Sequence, residues 1–216
     1  MRAAVIFSGC GHKEGTEINE AVLCLLALEK RGIDWVGFAP EGTFTARSYI
    51  KGRTERGEER DIIDEAARIA RGNVQPLNAL NPDHFHYLCL PGGLGAAKIL
   101  SNYKSKGFEG EVIEELASKI QAFHMQNKPI VAICISPAVV AIALKNQKGI
   151  TITLGEDTTY KESSNWVTFK SCTADECVVD IKNRIISTPA YMIEEANRFQ
   201  IAMGIDKAIE EASQFL

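Results

Sequence analysis

The chain has 216 residues, 45% of them hydrophobic and 24% charged, with a formal net charge of −4. That balance fits a single globular domain over residues 1–216 with a substantial core. The acidic net charge disfavours a nucleic-acid partner held through phosphate neutralisation, and no apolar run approaches the ~20 residues of a membrane span. Met1-Arg2 leads directly into an apolar run without a signal-peptide pattern, so a cytoplasmic location with no membrane partner is expected.

Ala3 to Phe7 is a short unbroken apolar run, as in a strand buried on both faces. Ser8-Gly9-Cys10-Gly11 forms a turn. Thr16 is placed to cap the next helix, whose stripe Ile18, Ala21, Val22, Leu25 and Leu26 follows the 3.6-residue period. Arg31-Gly32 ends that helix, and Asp34 to Ala39 is a second strand, which makes a βαβ unit with parallel pairing. Residues 40–60 break the rhythm and read as a surface excursion, with a hairpin as one form of it. A helix follows over 61–71. His86 to Leu90 is a strand ending in the loop Pro91-Gly92-Gly93-Leu94-Gly95. Residues 111–125 form an amphipathic helix, and Pro129 to Ile133 an apolar strand that enters Cys134, with a helix from Pro137. Further on, 166–169, 177–179 and 185–188 read as short strands and 191–212 as a terminal helix. This alternation predicts an α/β fold, a doubly wound, mostly parallel sheet with helices on both faces.

Six cysteines stand at 10, 24, 89, 134, 172 and 177, and in a long, core-rich chain they are expected as free thiols. Cys172 and Cys177 are too far apart for a zinc knuckle, and His84 with His86, read as alternating on one strand, makes an incomplete ligand pair. No metal site is expected. Gly9, Gly11 and Gly15 miss the spacing of the dinucleotide fingerprint, so no nucleotide cofactor is expected either.

Open α/β sheets bind ligands beyond the carboxyl ends of their strands. There the turn at Cys134 has the form of a nucleophile elbow, with small Ala132 and Ser136 on either side, Ser136 as N-cap and Pro137 in the first turn. The helix N-terminus favours a thiolate; the plain alternative is a buried core cysteine. Gly92-Gly93 lets backbone amides approach a substrate oxygen, and the amides of Gly93 and Ile135 form the expected oxyanion-binding pair. Glu20, in the early turns of the first helix, is the candidate general base and acid, with Glu17 one turn earlier as a second carboxyl able to reach the cleft. Cys10 lies on a neighbouring loop.

Several segments in order carry a family resemblance: Ser8-Gly9-Cys10-Gly11 with Glu14-Gly15-Thr16-Glu17-Ile18, the run Glu65 to Gly72, Pro91-Gly92-Gly93 with Gly95-Ala96-Ala97-Lys98, Cys134-Ile135-Ser136-Pro137-Ala138, and Thr188-Pro189-Ala190-Tyr191-Met192. Together the chain resembles the ElbB proteins (isoprenoid-biosynthesis glyoxalase, or sigma cross-reacting protein) of the ThiJ/PfpI, class I glutamine amidotransferase-like superfamily. The resemblance implies a flavodoxin-like sandwich and a homodimer, with an elbow cysteine at Cys134 and a first-helix glutamate at Glu20. It also implies a glyoxalase III-like conversion of glyoxal or a related small dicarbonyl to a hydroxy acid, without metal or other cofactor. The chain departs from the family at Ser136, where Ala is usual, at Leu94, where Phe is usual, and at His12-Lys13-Glu14. All four histidines (12, 84, 86 and 124) precede Cys134, whereas glutamine amidotransferases carry a histidine after the nucleophile, so that reaction is disfavoured. The alternative is a redox-responsive or regulatory protein, in which Cys134 is a sensor thiol and Cys10 resolves it as a disulfide.

Overall fold

In a computed structural model, which describes residues 1–50, 57–147, 149–156 and 166–216, the apolar runs become the strands of one seven-stranded sheet. β1 (Arg2–Ile6), β2 (Asp34–Ala39), β5 (Val74–Pro76), β6 (Tyr87–Leu90), β7 (Ile130–Ile133) and β11 (Ile185–Thr188) run parallel, and β10 (Val178–Asp180) joins the edge antiparallel to β11. The spatial order is β10-β11-β7-β6-β1-β2-β5. From β1 the chain travels outward to β2 and β5, then returns to β6 on the other side of β1. Successive crossovers of one hand therefore fall on opposite faces, and a crevice opens where the order reverses. This is the expected flavodoxin-like α/β architecture.

The two faces are filled as the topology requires. α1 (Ile18–Lys30) packs with the terminal helix α7 (Arg198–Ser213) on one side, while α5 (Glu114–Met125) and α6 (Ser136–Ala143) pack together on the other. β6 and β7 are buried at every position, as strands covered on both faces must be. α2 (Ile62–Ala70) lies against β2 and β5. Residues 40–60 do form a hairpin, β3 (Thr43–Ala46) paired antiparallel with β4 (Glu58–Asp61), although 51–56 lie outside the described residues. β8 (Ile150–Ile152) and β9 (Val167–Phe169) make a small parallel pair beside β10.

Four local expectations fail. Thr16 does not cap α1; its hydroxyl accepts from the Ser8 amide at 2.7 Å, and Glu17 is the N-cap. The face of α1 turned inward is Ala21, Cys24, Leu25, Ala27 and Leu28, whereas Ile18, Val22 and Leu26 are 46%, 48% and 58% exposed. α1 is apolar on both sides, so periodicity alone could not choose the buried one. The terminal helix starts at Arg198 rather than Tyr191, because Asn197 and Gln200 form a capping box there. Finally, His84 ends a short 3-10 turn and His86 precedes β6, which begins at Tyr87, so the two histidines share no strand.

Candidate active site

The strand β7 ends in a bend that confirms the elbow. Cys134 has φ 63, a left-handed conformation unusual for a residue with a side chain, and its amide donates to the Thr188 carbonyl on β11 at 2.9 Å. Pro137 lies in the first turn of α6, as expected. Ser136, by contrast, is not the cap. Its buried hydroxyl donates to the Pro91 carbonyl at 2.8 Å and ties the elbow to the glycine loop after β6.

That loop fits because its residues lack side chains. A Cβ on Gly92 would come within 2.4 Å of the Cys134 Cβ and 2.5 Å of a Glu20 oxygen. One on Gly93 (φ 98) would meet the Gly15 carbonyl oxygen at 2.4 Å. The close approach lets the amides of Gly93 and Ile135, the pair singled out in the sequence, both donate to the Cys134 sulfur. The Gly92 amide serves another purpose and donates to Glu20 Oε2 at 3.0 Å.

Glu20 is completely buried and hydrogen-bonds the Cys134 thiol. Its other oxygen accepts from the Tyr191 amide at 3.4 Å, which brings in the loop after β11. Glu17 caps α1 by accepting from the Glu20 amide at 2.6 Å and also accepts from Asn19 Nδ2 at 2.9 Å. Burial first, and then the nearby Glu17 charge, push the Glu20 carboxyl up to about 8. Burial and the adjacent Glu20 also push the Cys134 thiol up, against the two amides that pull it down. The expectation of a resting thiolate is therefore corrected: the helix N-terminus is outweighed by desolvation and by a carboxyl neighbour. At neutral pH the pair holds its protons.

Cys134 nonetheless reaches a cleft of about 860 Å³. Glu17, Gly93 and Ile135 share its lining with His12, Tyr103, Tyr191 and Arg198. His12 comes from the first loop and stands edge-on to Tyr49 of the hairpin arm at 4.9 Å. Cys10 does not line the cleft; the charged groups around it are Glu65 and Arg68 of α2, Glu14 of the first loop and Arg60 of β4. Tyr191, Arg198 and Asn19 were missed as site residues. The available signal was topological, since Tyr191 follows a strand that is the direct neighbour of β7 and opens at the same sheet end. Among the described residues no cluster of three or more His, Cys, Asp or Glu could hold a metal ion.

No protein-family model matches the chain. It is 35% identical over 209 residues to the glutamine amidotransferase-like class 1 domain-containing protein 3, mitochondrial, of Homo sapiens, covering 90% of this chain and 76% of that one. A crystal structure of an isoprenoid biosynthesis protein with amidotransferase-like domain from Ehrlichia chaffeensis superposes with a TM-score of 0.92. It is 34% identical, with 100% of this chain and 99% of that one covered. The chain belongs to the ElbB-like, amidotransferase-like family. A ThiJ/PfpI domain protein from Brachyspira murdochii shares the fold, with a TM-score of 0.54 at 14% identity over 93% of each chain. Within the ElbB-like frame, the elbow, the glycine loop and the first helix meet at one sulfur, and the rest of the cleft lining lies around them.

Proposed function

We propose that the protein is a cofactor-free, glyoxalase III-like enzyme that converts a small dicarbonyl to a hydroxy acid through Cys134. One observation carries the reading: a thiol on a strained elbow contacts a buried carboxyl and two converging amides at the edge of an open cleft.

The ionised Glu20 takes the proton of the thiol as the sulfur adds to the aldehyde carbon, giving a hemithioacetal. The amides of Gly93 and Ile135 hold the oxygen as it gains charge. Glu20 hands the thiol proton to that oxygen and, ionised again, carries the proton of the former aldehyde carbon to the neighbouring carbonyl carbon through an enediol, as the hydroxyl proton passes from the first oxygen to the second. The first carbon is oxidised by an electron pair and the second is reduced by it, so no external redox partner enters. The product is an α-hydroxy thioester; water cleaves it to the hydroxy acid and restores the thiol. Production of glycolate from glyoxal tests this, and a Cys134→Ala protein as fast as the wild type would sink it.

The sensor reading draws less support. Peroxide attacks thiolates, and the resting thiol is pushed toward its neutral form, while Cys10 does not line the cleft. We further propose a homodimer. Ile18, Val22 and Leu26 of α1 leave an apolar face beside Phe199 and Met203 of α7, which are 73% and 45% exposed. A monomeric sedimentation coefficient at micromolar protein would overturn that assembly. A cytoplasmic site of action, with a small molecule rather than nucleic acid or membrane as partner, fits six free thiols and described helices too short and polar to cross a membrane.

A further inference from the structure

A small dicarbonyl leaves most of this cleft unfilled. Glyoxal occupies about the share of two liquid waters, ~60 Å³, against a cleft of about 860 Å³. Cavities of ~300–1,000 Å³ ordinarily enclose much larger ligands.

The polar groups that act on a carbonyl are gathered at one end, where Glu20, Gly93 and Ile135 surround the sulfur. The rest of the lining mixes polar side chains, His12, Asn19, Lys104, Glu194 and Arg198, with an apolar set. Leu94 and Ala97 come from α3 (Leu94–Lys98), Tyr103 from α4 (Tyr103–Lys106), and Met192 from the turn after β11. This wall is built in advance of any ligand. The Leu94 amide donates to the His12 carbonyl at 2.8 Å, which fixes the start of α3 to the first loop. Tyr103 packs edge-on against Phe108 at 5.2 Å, and Phe108 in turn packs against Phe169 at 5.2 Å. Leu94, Tyr103 and Met192 are each only half-buried, so they still have apolar surface to cover. A hydrogen atom, which is all that glyoxal carries on its second carbonyl, covers none of it.

We infer that the cleft selects α-oxoaldehydes whose second carbonyl bears a large apolar group, with an aryl ring seated on the wall formed by Leu94, Tyr103 and Met192. The inference rests on the glyoxalase reading for the reacting end. It adds the identity of the rest of the substrate, which that reading leaves as a small dicarbonyl. Burying an aryl ring of this size is worth roughly 10- to 100-fold in affinity or specificity.

Phenylglyoxal and glyoxal serve as the paired substrates, with mandelate and glycolate as the matching products. The wild type should show kcat/KM for phenylglyoxal at least ~10-fold above that for glyoxal, once their intrinsic reactivities toward a free thiol are divided out. Leu94→Ala and Met192→Ala, on separate elements, should each lower that ratio about threefold or more. Equal ratios for wild type and both variants would overturn the inference while leaving the glyoxalase reading intact. Calorimetry on Cys134→Ala protein separates the two ideas in the other direction. Mandelate should bind at least ~10-fold more tightly than glycolate whether or not turnover occurs. Tighter mandelate binding without turnover of either aldehyde would retain the apolar subsite and remove the proposed chemistry. Equal binding of the two acids would remove the subsite.

Discussion

The first turns of α1 and α2 each bury a glutamate, yet the two have opposite surroundings. Glu65, 6% exposed, accepts from Arg68 Nε at 2.8 Å and lies 3.6 Å from Arg60 Nη1. Glu20, fully buried, has two backbone amides, a thiol and the nearby negative charge of Glu17, but no cation among its partners in the described residues. A helix N-terminus welcomes a carboxylate in both places. At α2 the carboxyl is met by two arginines; at α1 burial and a like charge push it to keep its proton. The same residue type in the same helical turn becomes the partner of two arginines in one case and the neighbour of a thiol in the other, and the surroundings decide which.

The contrast breaks most severely at Glu20 itself. Glu20→Gln should lower kcat/KM for dicarbonyl turnover by ~10²–10⁴-fold, while Glu65→Gln should leave it within about twofold. Steady-state assays on the pair decide whether the distinction is functional. Gly92→Ala should come next, since the added methyl collides with both Cys134 and Glu20. We expect a loss of ~1–3 kcal/mol in denaturant unfolding together with slower alkylation of Cys134.

Stability against pH sharpens the comparison further. The Glu20 carboxyl moves from an ordinary 4.5 to about 8 in the fold. The stability its neutral form confers is therefore complete below about pH 4.5 and drains away as pH rises through 8. Wild type should lose on the order of 4 kcal/mol relative to Glu20→Gln between pH 5 and pH 9, read by urea unfolding at each pH. Over the same range kcat/KM should climb toward a plateau above pH 8, as Glu20 becomes able to accept the thiol proton. The smallest effect belongs to Glu65→Gln. Because Arg68 is largely exposed, losing that ion pair should cost about 1 kcal/mol or less.

Much of this was legible in the chain. The strands around the crevice are unbroken apolar runs, and small residues flank a cysteine at the end of one of them, so sheet and elbow could be read directly. The Gly93 and Ile135 amides followed from the elbow geometry. What escaped was decided by competition between distant partners. Thr16 had a free choice between capping α1 and bonding Ser8, and only the folded loop settles it. The inward side of α1 depended on α7 lying against it. Ser136 read as a cap because its position along the chain suits one, yet the Pro91 carbonyl lies within reach. The protonation of Cys134 was misjudged for a similar reason: a helix end can be read locally, whereas burial beside a glutamate more than a hundred positions away cannot.

The backbone at Cys134 carries a cost of its own. A left-handed conformation sits ~1–2 kcal/mol uphill for an ordinary residue and is comfortable for glycine. A chain selected for robustness alone would therefore drift toward glycine at 134, and hydrolytic or thermal challenge would reward the loss. Retaining sulfur at that spot requires a pressure other than durability, and directed evolution for heat tolerance without an activity screen should discard it early.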